Sequence, residues 1–110
     1  LLQVVYNLVI NAIEHTPPNG RIVYGAEGVA GEVRIFVNDT GVGIPPEILP
    51  RIFDPFFTTR EVGKGSGLGL FIVFEIIEEH GGCIAVESEP GLGTAFFIRL
   101  PLPSGENIHA

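Results

Sequence analysis

The sequence predicts an α+β fold, a two-layer sandwich in which helices cover one face of a mixed, mostly antiparallel sheet. Helical periodicity of apolar residues is present in two stretches, residues 1–13 and 68–80. Runs rich in branched and aromatic residues predict four strands, at 21–26, 32–38, 83–87 and 94–100. Because each helix is followed by a hairpin, we expect both helices to pack on the same sheet around a single core.

Composition limits the classes of protein to consider. The chain has 110 residues, 45% hydrophobic and 17% charged, which is typical of one small globular domain. Its net charge is −7 and no basic stripe alternates with aromatics, so neither nucleic acid nor direct membrane contact is expected. The single cysteine, Cys83, excludes a disulfide framework. We expect a cytoplasmic protein with Cys83 as a small buried residue.

The first predicted helix, residues 1–13 and labelled α1, carries a row of polar residues on one face, which we call the α1 polar row. Gln3, Asn7, Asn11 and Glu14 are spaced four, four and three apart, and this spacing places them side by side. An asparagine carbonyl is a hard oxygen that can complete a Mg²⁺ site together with waters and phosphates. An ordinary solvated helix face explains the same spacing, and the pattern alone does not decide between the two.

Two glycine-rich clusters predict a phosphate-binding site. Residues 38–44 follow the second predicted strand, and residues 63–70 precede the second helix. Glycines permit close backbone approach, and a helix that begins in such a loop directs free N–H groups at an anion. With Asp39 in one cluster and Lys64 in the other, a nucleotide pocket is the expected use. Simple turns, with an Asx turn at Asp39, are the structural alternative.

A segment without helical or strand periodicity, residues 51–62, separates the two halves of the chain. Long loops inside compact domains are usually functional, so we expect a lid from about residue 54 to residue 66. Phe53 is expected in the core, whereas the pattern leaves open whether Phe56 and Phe57 lie in the core or wait for a partner surface. Without nucleotide, this lid should be the least ordered part of the chain.

Five motifs, in this order, resemble those of the ATP-binding catalytic domain of bacterial sensor histidine kinases, whose fold is shared with gyrase, Hsp90 and MutL. They are the N box at 7–12, the first glycine box at 39–44, the F box at 53–57, the second glycine box at 65–70 and a short glycine box at 91–94. Residues 57–60 are similar to the nitrogen-regulator branch of these kinases. In the family the lid faces the histidine-bearing helices, so the resemblance implies that Phe56 or Phe57 docks there. The resemblance covers residues 1–103 and leaves 104–110 as a tail.

The resemblance implies a role for each matching residue. Asn11 would ligate Mg²⁺ and Asn7 would contact the phosphates, and Lys64 would complete the catalytic set. Asp39 would accept a hydrogen bond from the adenine amino group, with support from Thr94. The other nucleotide contacts would come from His15, Gly41, Gly43, Ile44, Gly65, Ser66, Gly67, Leu68 and Gly69.

The implied function is transfer of the γ-phosphate of Mg-ATP to a histidine on a separate dimerisation and phosphoacceptor domain, upstream of a response regulator. Asn7 stands where gyrase-type ATPases carry a glutamate base, which favours a kinase. The acidic neighbour and downstream proline of the family's acceptor are missing at His15, His80 and His109. We therefore expect the acceptor elsewhere in a homodimeric parent protein, and a monomer for the isolated domain.

The sequence departs from the family pattern at two points, and three other interpretations of its function stay open. Glu14 occupies a position where the family often has a phosphate-contacting lysine, and the family's first strand is missing, so we expect a trimmed domain with one strand fewer. The alternatives are a serine kinase of the anti-sigma-factor type, a non-catalytic nucleotide-binding module and a purely structural domain. Intact Asn11, Asp39 and glycine boxes argue against the second of these.

Overall fold

The computed structural model describes residues 2–55 and 69–101. In chain order its elements are α1 (Leu2–His15), β1 (Ile22–Val29), β2 (Glu32–Asp39), a 3₁₀ turn (Leu49–Arg51), α2 (Gly69–Glu79), β3 (Cys83–Glu89) and β4 (Gly93–Pro101). The predicted α+β class and the order of helix and hairpin are confirmed. The predicted lid from residue 56 onward, with Lys64, Gly65, Ser66, Gly67 and Leu68, lies outside the described residues, as does the tail.

The four described strands form one sheet in the order β1-β2-β4-β3. Every neighbouring pair is antiparallel, which agrees with the predicted, mostly antiparallel sheet, and no parallel pair occurs among the described strands. Short connections between consecutive strands allow only antiparallel hairpins. The pair formed by β2 and β4, which are not consecutive, is antiparallel as well. The β1–β2 turn is also tighter than predicted. It consists of Ala30 and Gly31, both at positive φ (49° and 81°), as two-residue hairpin turns require.

The core lies between the two helices and the inner face of the sheet. Alternate residues of the two central strands are buried there, Val33, Ile35 and Val37 from β2 and Phe96, Ile98 and Leu100 from β4. Helix α1 contributes Val4, Leu8 and Ala12, and α2 contributes Val73 and Ile77. The apolar stripe predicted for α1 is wider than the buried one. Leu2 and Ile13 are 82% and 55% exposed, because they lie to the side of the buried row.

Phe53 joins the 3₁₀ segment to the core, as predicted. Its ring stacks on Phe74 of α2 with centroids 5.5 Å apart and meets Phe96 of β4 edge-on at 6.4 Å. Phe53 is partly buried and packs against the core. The aromatic contact therefore ties the start of the F box to both layers of the fold.

Cys83 is exposed, and its predicted burial is wrong. It begins the edge strand β3 and stands in register with Arg99 on the outer face of the sheet. Both helices pack on the inner face, so side chains on the outer face are not covered.

Among the described helices, neither is long and apolar enough to cross a membrane.

Candidate nucleotide site

One end of the sheet gathers three polar side chains in a single row, which we call the sheet-end trio. Asp39 at the end of β2 is in register with Thr94 of β4, and Thr94 is in register with Ser88 of β3. Asp39 and Thr94 are the two buried polar side chains of the described residues, 9% and 8% exposed. The antiparallel pairing of β2 with β4 produces this row, because the end of one strand meets the beginning of the other.

Asp39 has one carboxylate oxygen occupied and one available. The Gly41 amide donates a 2.8 Å hydrogen bond to Oδ1, which is the Asx turn considered from the sequence. No described residue donates a hydrogen bond to Oδ2. The turn therefore accounts for only half of the carboxylate, and Oδ2 is able to accept a hydrogen bond from a ligand.

Three glycines around Asp39 allow four chain segments to approach one another closely. A Cβ on Gly41 would collide with the backbone oxygen of His15 and lie 2.9 Å from Oδ1 of Asp39. A Cβ on Gly43, where φ is +77°, would collide with the carbonyl of Glu89. At Gly93 a Cβ would collide with the carbonyl of Asp39. Any side chain at these positions would displace the backbone that surrounds the carboxylate.

Backbone hydrogen bonds hold the first glycine box in place. The Val42 amide donates to the His15 carbonyl at 3.1 Å, and the Gly91 amide donates to the Val42 carbonyl at 2.8 Å. The Ile44 amide donates to the hydroxyl of Ser88 at 2.7 Å. The loop is thus fixed to the end of α1, to the β3–β4 turn and to β3.

Ser88 is the site residue that sequence reasoning missed. Its hydroxyl contacts the Ile44 amide, Thr94 Oγ1 at 2.8 Å and the Gly93 carbonyl at 3.1 Å. A signal was present in the alternation of β3. Ile84 and Val86 pack against the core, so the next inward position holds a serine where an apolar residue is expected.

The α1 polar row faces the beginning of α2. The side-chain amide of Asn7 donates to the Gly69 carbonyl at 3.3 Å, and Gln3 Nε2 donates to Asn7 Oδ1 at the same distance. Asn11, one turn further, is partly buried and makes no side-chain hydrogen bond with the described residues. The structure therefore brings Asn7 to the helix that follows the second glycine box.

The amide oxygen of Asn11 suits a hydrated Mg²⁺ ion rather than an all-protein metal centre. The described residues contain no group of three or more His, Cys, Asp or Glu side chains that could hold a metal ion. The amide oxygen of Asn11 is a hard ligand, and Mg²⁺ commonly keeps several waters and takes its remaining ligands from substrate phosphates. One protein oxygen is enough for such a site.

His15 lies between the α1 polar row and the first glycine box. Its Nδ1 is 2.7 Å from the Asn11 carbonyl, which can only accept, so the proton of this hydrogen bond lies on Nδ1. Nε2 is then the ring atom left for the nucleotide contact expected from the sequence. The His15 carbonyl also anchors Val42, so this residue joins the helix to the loop.

An open cleft of about 240 Å³ lies at the opposite end of the sheet, lined by Gly31, Glu32, Gly81, Gly82, Cys83, Arg99 and Pro101. Arg99 Nε donates to Glu32 Oε2 at 3.1 Å, and the Arg34 guanidinium donates to Glu32 Oε1 at 3.3 Å. These hydrogen bonds, that of Arg99 foremost, lower the pKa of Glu32 from its ordinary value of 4.5. The cleft shares no residue with the sheet-end trio and is separate from the candidate nucleotide site.

Comparison with known proteins identifies the family to which this chain belongs. The family described as "Histidine kinase-, DNA gyrase B-, and HSP90-like ATPase" matches residues 1–104, and the chain belongs to this family. The sensor protein SrrB of Staphylococcus aureus (strain NCTC 8325 / PS 47) is 48% identical over 105 residues, which are 92% of this chain and 18% of SrrB. The chain thus spans less than a fifth of the length of the curated relatives it matches.

Solved structures agree with this assignment. The nucleotide-free catalytic domain of histidine kinase ThkA superposes with a TM-score of 0.76 at 45% identity, covering 90% of this chain and 64% of that one. Full-length ShkA in complex with AMPPNP superposes with a TM-score of 0.80 at 34% identity, covering 96% of this chain and 22% of ShkA. The predicted resemblance to the ATP-binding catalytic domain of sensor histidine kinases is confirmed. Its finer assignment to the nitrogen-regulator branch depends on residues 57–60, outside the described parts.

Proposed function

We propose that this chain binds Mg-ATP and donates the γ-phosphate to a histidine on a separate dimerisation and phosphoacceptor domain, in two-component signalling. The observation that carries the proposal is the arrangement of Asp39. Its carboxylate is buried, held through Oδ1 by Gly41, and left with Oδ2 able to accept a hydrogen bond. The adenine amino group is a donor that suits this acceptor. The names of SrrB and ThkA, a sensor protein and a histidine kinase, support the same function.

The residues divide between the base and the phosphates. Asp39 accepts from the adenine amino group, Thr94 supports that contact from the neighbouring strand, and the bare backbone of Gly43 leaves room for the ring. Asn11 ligates Mg²⁺ through its amide oxygen, and Asn7 and His15 face the phosphates. The phosphate contacts proposed for Lys64 and for backbone amides of 65–69 complete the site. When bound, Mg²⁺ supplies charge that stabilises the transferring phosphoryl group.

Asn7 favours transfer to an external acceptor over hydrolysis of ATP. Its side chain is an amide, which cannot remove a proton from water, and it is already engaged with Gly69 and Gln3. A histidine acceptor is a competent nucleophile near neutral pH without a strong base. The chain therefore needs to position ATP for a nucleophile supplied by another domain. We place that domain in a homodimeric parent protein acting in the cytoplasm, with a response regulator downstream.

Two measurements test the proposal. Calorimetric titration with ATP and Mg²⁺ should show binding, and the chain incubated alone with γ-labelled ATP should take up no label. Adding a dimerisation and phosphoacceptor domain from a sensor kinase should then give acid-labile label on that domain, and none when its acceptor histidine is replaced. Absence of ATP binding would refute the proposal entirely. Stable label on His15, His80 or His109 would show that the acceptor is misplaced, and acid-stable label on serine would indicate a serine kinase.

A further inference from the structure

Two hydrogen bonds in series connect Gln3, at the start of the α1 polar row, to the first residue of α2. Gln3 Nε2 donates to Asn7 Oδ1 at 3.3 Å, and Asn7 Nδ2 donates to the Gly69 carbonyl at 3.3 Å. Gln3 is exposed and Asn7 is partly buried, one helical turn further along the same face. The two ends of the Asn7 amide are therefore held by two different residues.

The Gly69 carbonyl determines how both side-chain amides are turned. A carbonyl can only accept, so the Asn7 atom beside it is the nitrogen. Asn7 Oδ1 then faces Gln3, and because this oxygen also only accepts, the Gln3 atom that meets it is the nitrogen. Turning the Asn7 amide by 180° would place its oxygen against the Gly69 oxygen and its nitrogen against the Gln3 nitrogen. Only one orientation of the two amides satisfies both contacts.

The orientation of Asn7 determines what this side chain can present to an anion. Its NH₂ group carries two protons, of which one goes to Gly69, and no described residue accepts the other. Phosphate oxygens are strong acceptors, so they are attracted by an N–H group and repelled by an amide oxygen. With the NH₂ group toward α2, Asn7 has a donor left for a phosphate. With the amide reversed, it would present an acceptor instead.

We propose that Gln3 is a positioning residue, which holds the Asn7 amide by its oxygen and so keeps the Asn7 NH₂ group available to the phosphates of the nucleotide. Without Gln3 the amide is held at one atom only and can pivot about its contact with Gly69. Gln3 thus acts on the phosphates through Asn7. The alternative is an ordinary i, i+4 pair that only stabilises α1. This inference rests on the proposed ATP binding.

The test is a double-mutant cycle on the Kd for Mg-ATP in the 110-residue chain. Gln3→Met keeps the length of the side chain and removes the donor, so the Kd should rise about threefold, the effect of one modest hydrogen bond. In an Asn7→Ala background the same substitution should leave the Kd unchanged, because Gln3 has no amide left to hold. Leu2→Ala, at the 82% exposed neighbour of Gln3, is the control for disturbance of the helix and should leave the Kd unchanged.

Gln3→Glu gives the sharper contrast, because it replaces the NH₂ group by an oxygen in a side chain of nearly the same shape. The carboxylate repels Asn7 Oδ1 and favours the reversed amide, so the Kd should rise about tenfold. The same substitution in the Asn7→Ala background measures the effect of the added charge alone, which is then subtracted. The Gln3→Met loss should be equal with Mg²⁺ and with EDTA, since Asn11 is the proposed ligand of the ion.

NMR of the Asn7 side-chain amide gives a second readout that needs no nucleotide. Exchange of its NH₂ protons with water should accelerate in Gln3→Met and stay unchanged in Leu2→Ala. Equal rises of the Kd in Gln3→Met with and without the Asn7 side chain would overturn the inference and leave Gln3 as a residue that only stabilises the helix. An unchanged Kd in Gln3→Met would also overturn it while the proposed function stands. Failure of the unmodified chain to bind ATP would instead refute the proposed function, and the NMR comparison would still show whether Gln3 holds Asn7.

Discussion

The side-chain amide of Asn7 in α1 donates a hydrogen bond of 3.3 Å to the carbonyl oxygen of Gly69, the first residue of α2. The contact spans 62 positions in the sequence and joins the N box to the end of the second glycine box. Asn11 lies one helical turn further along α1 and is partly buried. Asn7 thus has its amide engaged, whereas Asn11 makes no side-chain hydrogen bond with the described residues, and their separate roles toward phosphate and Mg²⁺ stay predictions.

Replacing Asn11 with alanine is expected to reduce the enhancement of ATP binding by Mg²⁺ more than ATP binding itself. The amide oxygen is the proposed protein ligand of the ion, whereas the contacts to adenine do not involve it. ATP affinity measured by calorimetry with Mg²⁺ and with EDTA checks this. Gln3→Ala, two turns earlier in the α1 polar row, is the matched control and should keep the enhancement. Equal enhancement in Asn11→Ala and in the unmodified chain would mean that Asn11 is a surface residue only.

Asp39→Asn is expected to weaken ATP binding by roughly 1.5–3 kcal/mol, the contribution of a hydrogen bond to a charged group. The fold should persist, because the asparagine oxygen can still accept from the Gly41 amide. The new NH₂ group would face the adenine amino group, so a donor replaces an acceptor. Calorimetry and thermal unfolding measure the two effects separately. Asp54→Asn, an exposed residue in an ion pair with Arg51, should leave ATP affinity unchanged; unaltered affinity in Asp39→Asn would contradict the adenine contact.

Two glycine variants separate crowding from backbone strain. Gly91 and Gly93 both have positive φ, 84° and 136°, but only Gly93 has the Asp39 carbonyl where a Cβ would lie. Gly91→Ala should cost about 1–2 kcal/mol of the free energy of unfolding, from the left-handed conformation alone. Gly93→Ala should cost about 3–4 kcal/mol, because displacement of the Asp39 backbone is added. Urea denaturation measures the loss of stability in both variants. Equal losses would show that the Asp39 backbone in β2 can shift to make room for the Cβ at no further cost in stability.

Phe53→Ala is expected to lower the free energy of unfolding by about 2–4 kcal/mol, since it removes a partly buried ring from its contacts with Phe74 and Phe96. Phe97→Ala is the comparison, because Phe97 lies on the outer face of the sheet and is 42% exposed. Its loss should cost less than about 1 kcal/mol. Chemical denaturation of both variants checks the prediction. A small effect at Phe53 would mean that the 3₁₀ segment is held by its other contacts.

Glu32 should add a pH-dependent contribution to stability. Hydrogen bonds from Arg99 and Arg34 lower the pKa of Glu32 in the folded chain from its ordinary value of 4.5. The contribution is therefore fully present above pH 4.5 and is lost as the pH falls through the lower folded pKa. Unfolding followed between about pH 6 and pH 3 should show a steeper acid loss in the unmodified chain than in Glu32→Gln. Parallel curves would show that the two arginines do not favour the charged carboxylate.

Local patterns were sufficient to predict the helices and strands and to single out most of the candidate site residues. The spacing of apolar residues located both helices, and β-branched runs located all four strands to within three residues. Gly41 and Gly43 were recognisable because a glycine-rich loop is the local signature of close backbone approach, whereas Gly93 was predicted only as part of a turn. Asp39 was singled out by its place in a glycine-rich cluster after a predicted strand, whereas its adenine contact and the role of Thr94 were assigned by resemblance. The proposed docking of Phe56 or Phe57 stays a prediction, since both lie outside the described residues.

By itself, the sequence determined the α+β class, the family and the identity of the candidate ligand-contacting residues, because these depend on periodicity and on short motifs. Only the tertiary structure decided the strand order β1-β2-β4-β3 and the exposure of Cys83. It also decided that Ser88, Thr94 and Asp39 form one row. The physical reason is that strand pairing joins residues far apart in the chain, here Asp39 with Thr94. No local pattern records which residue will stand opposite another.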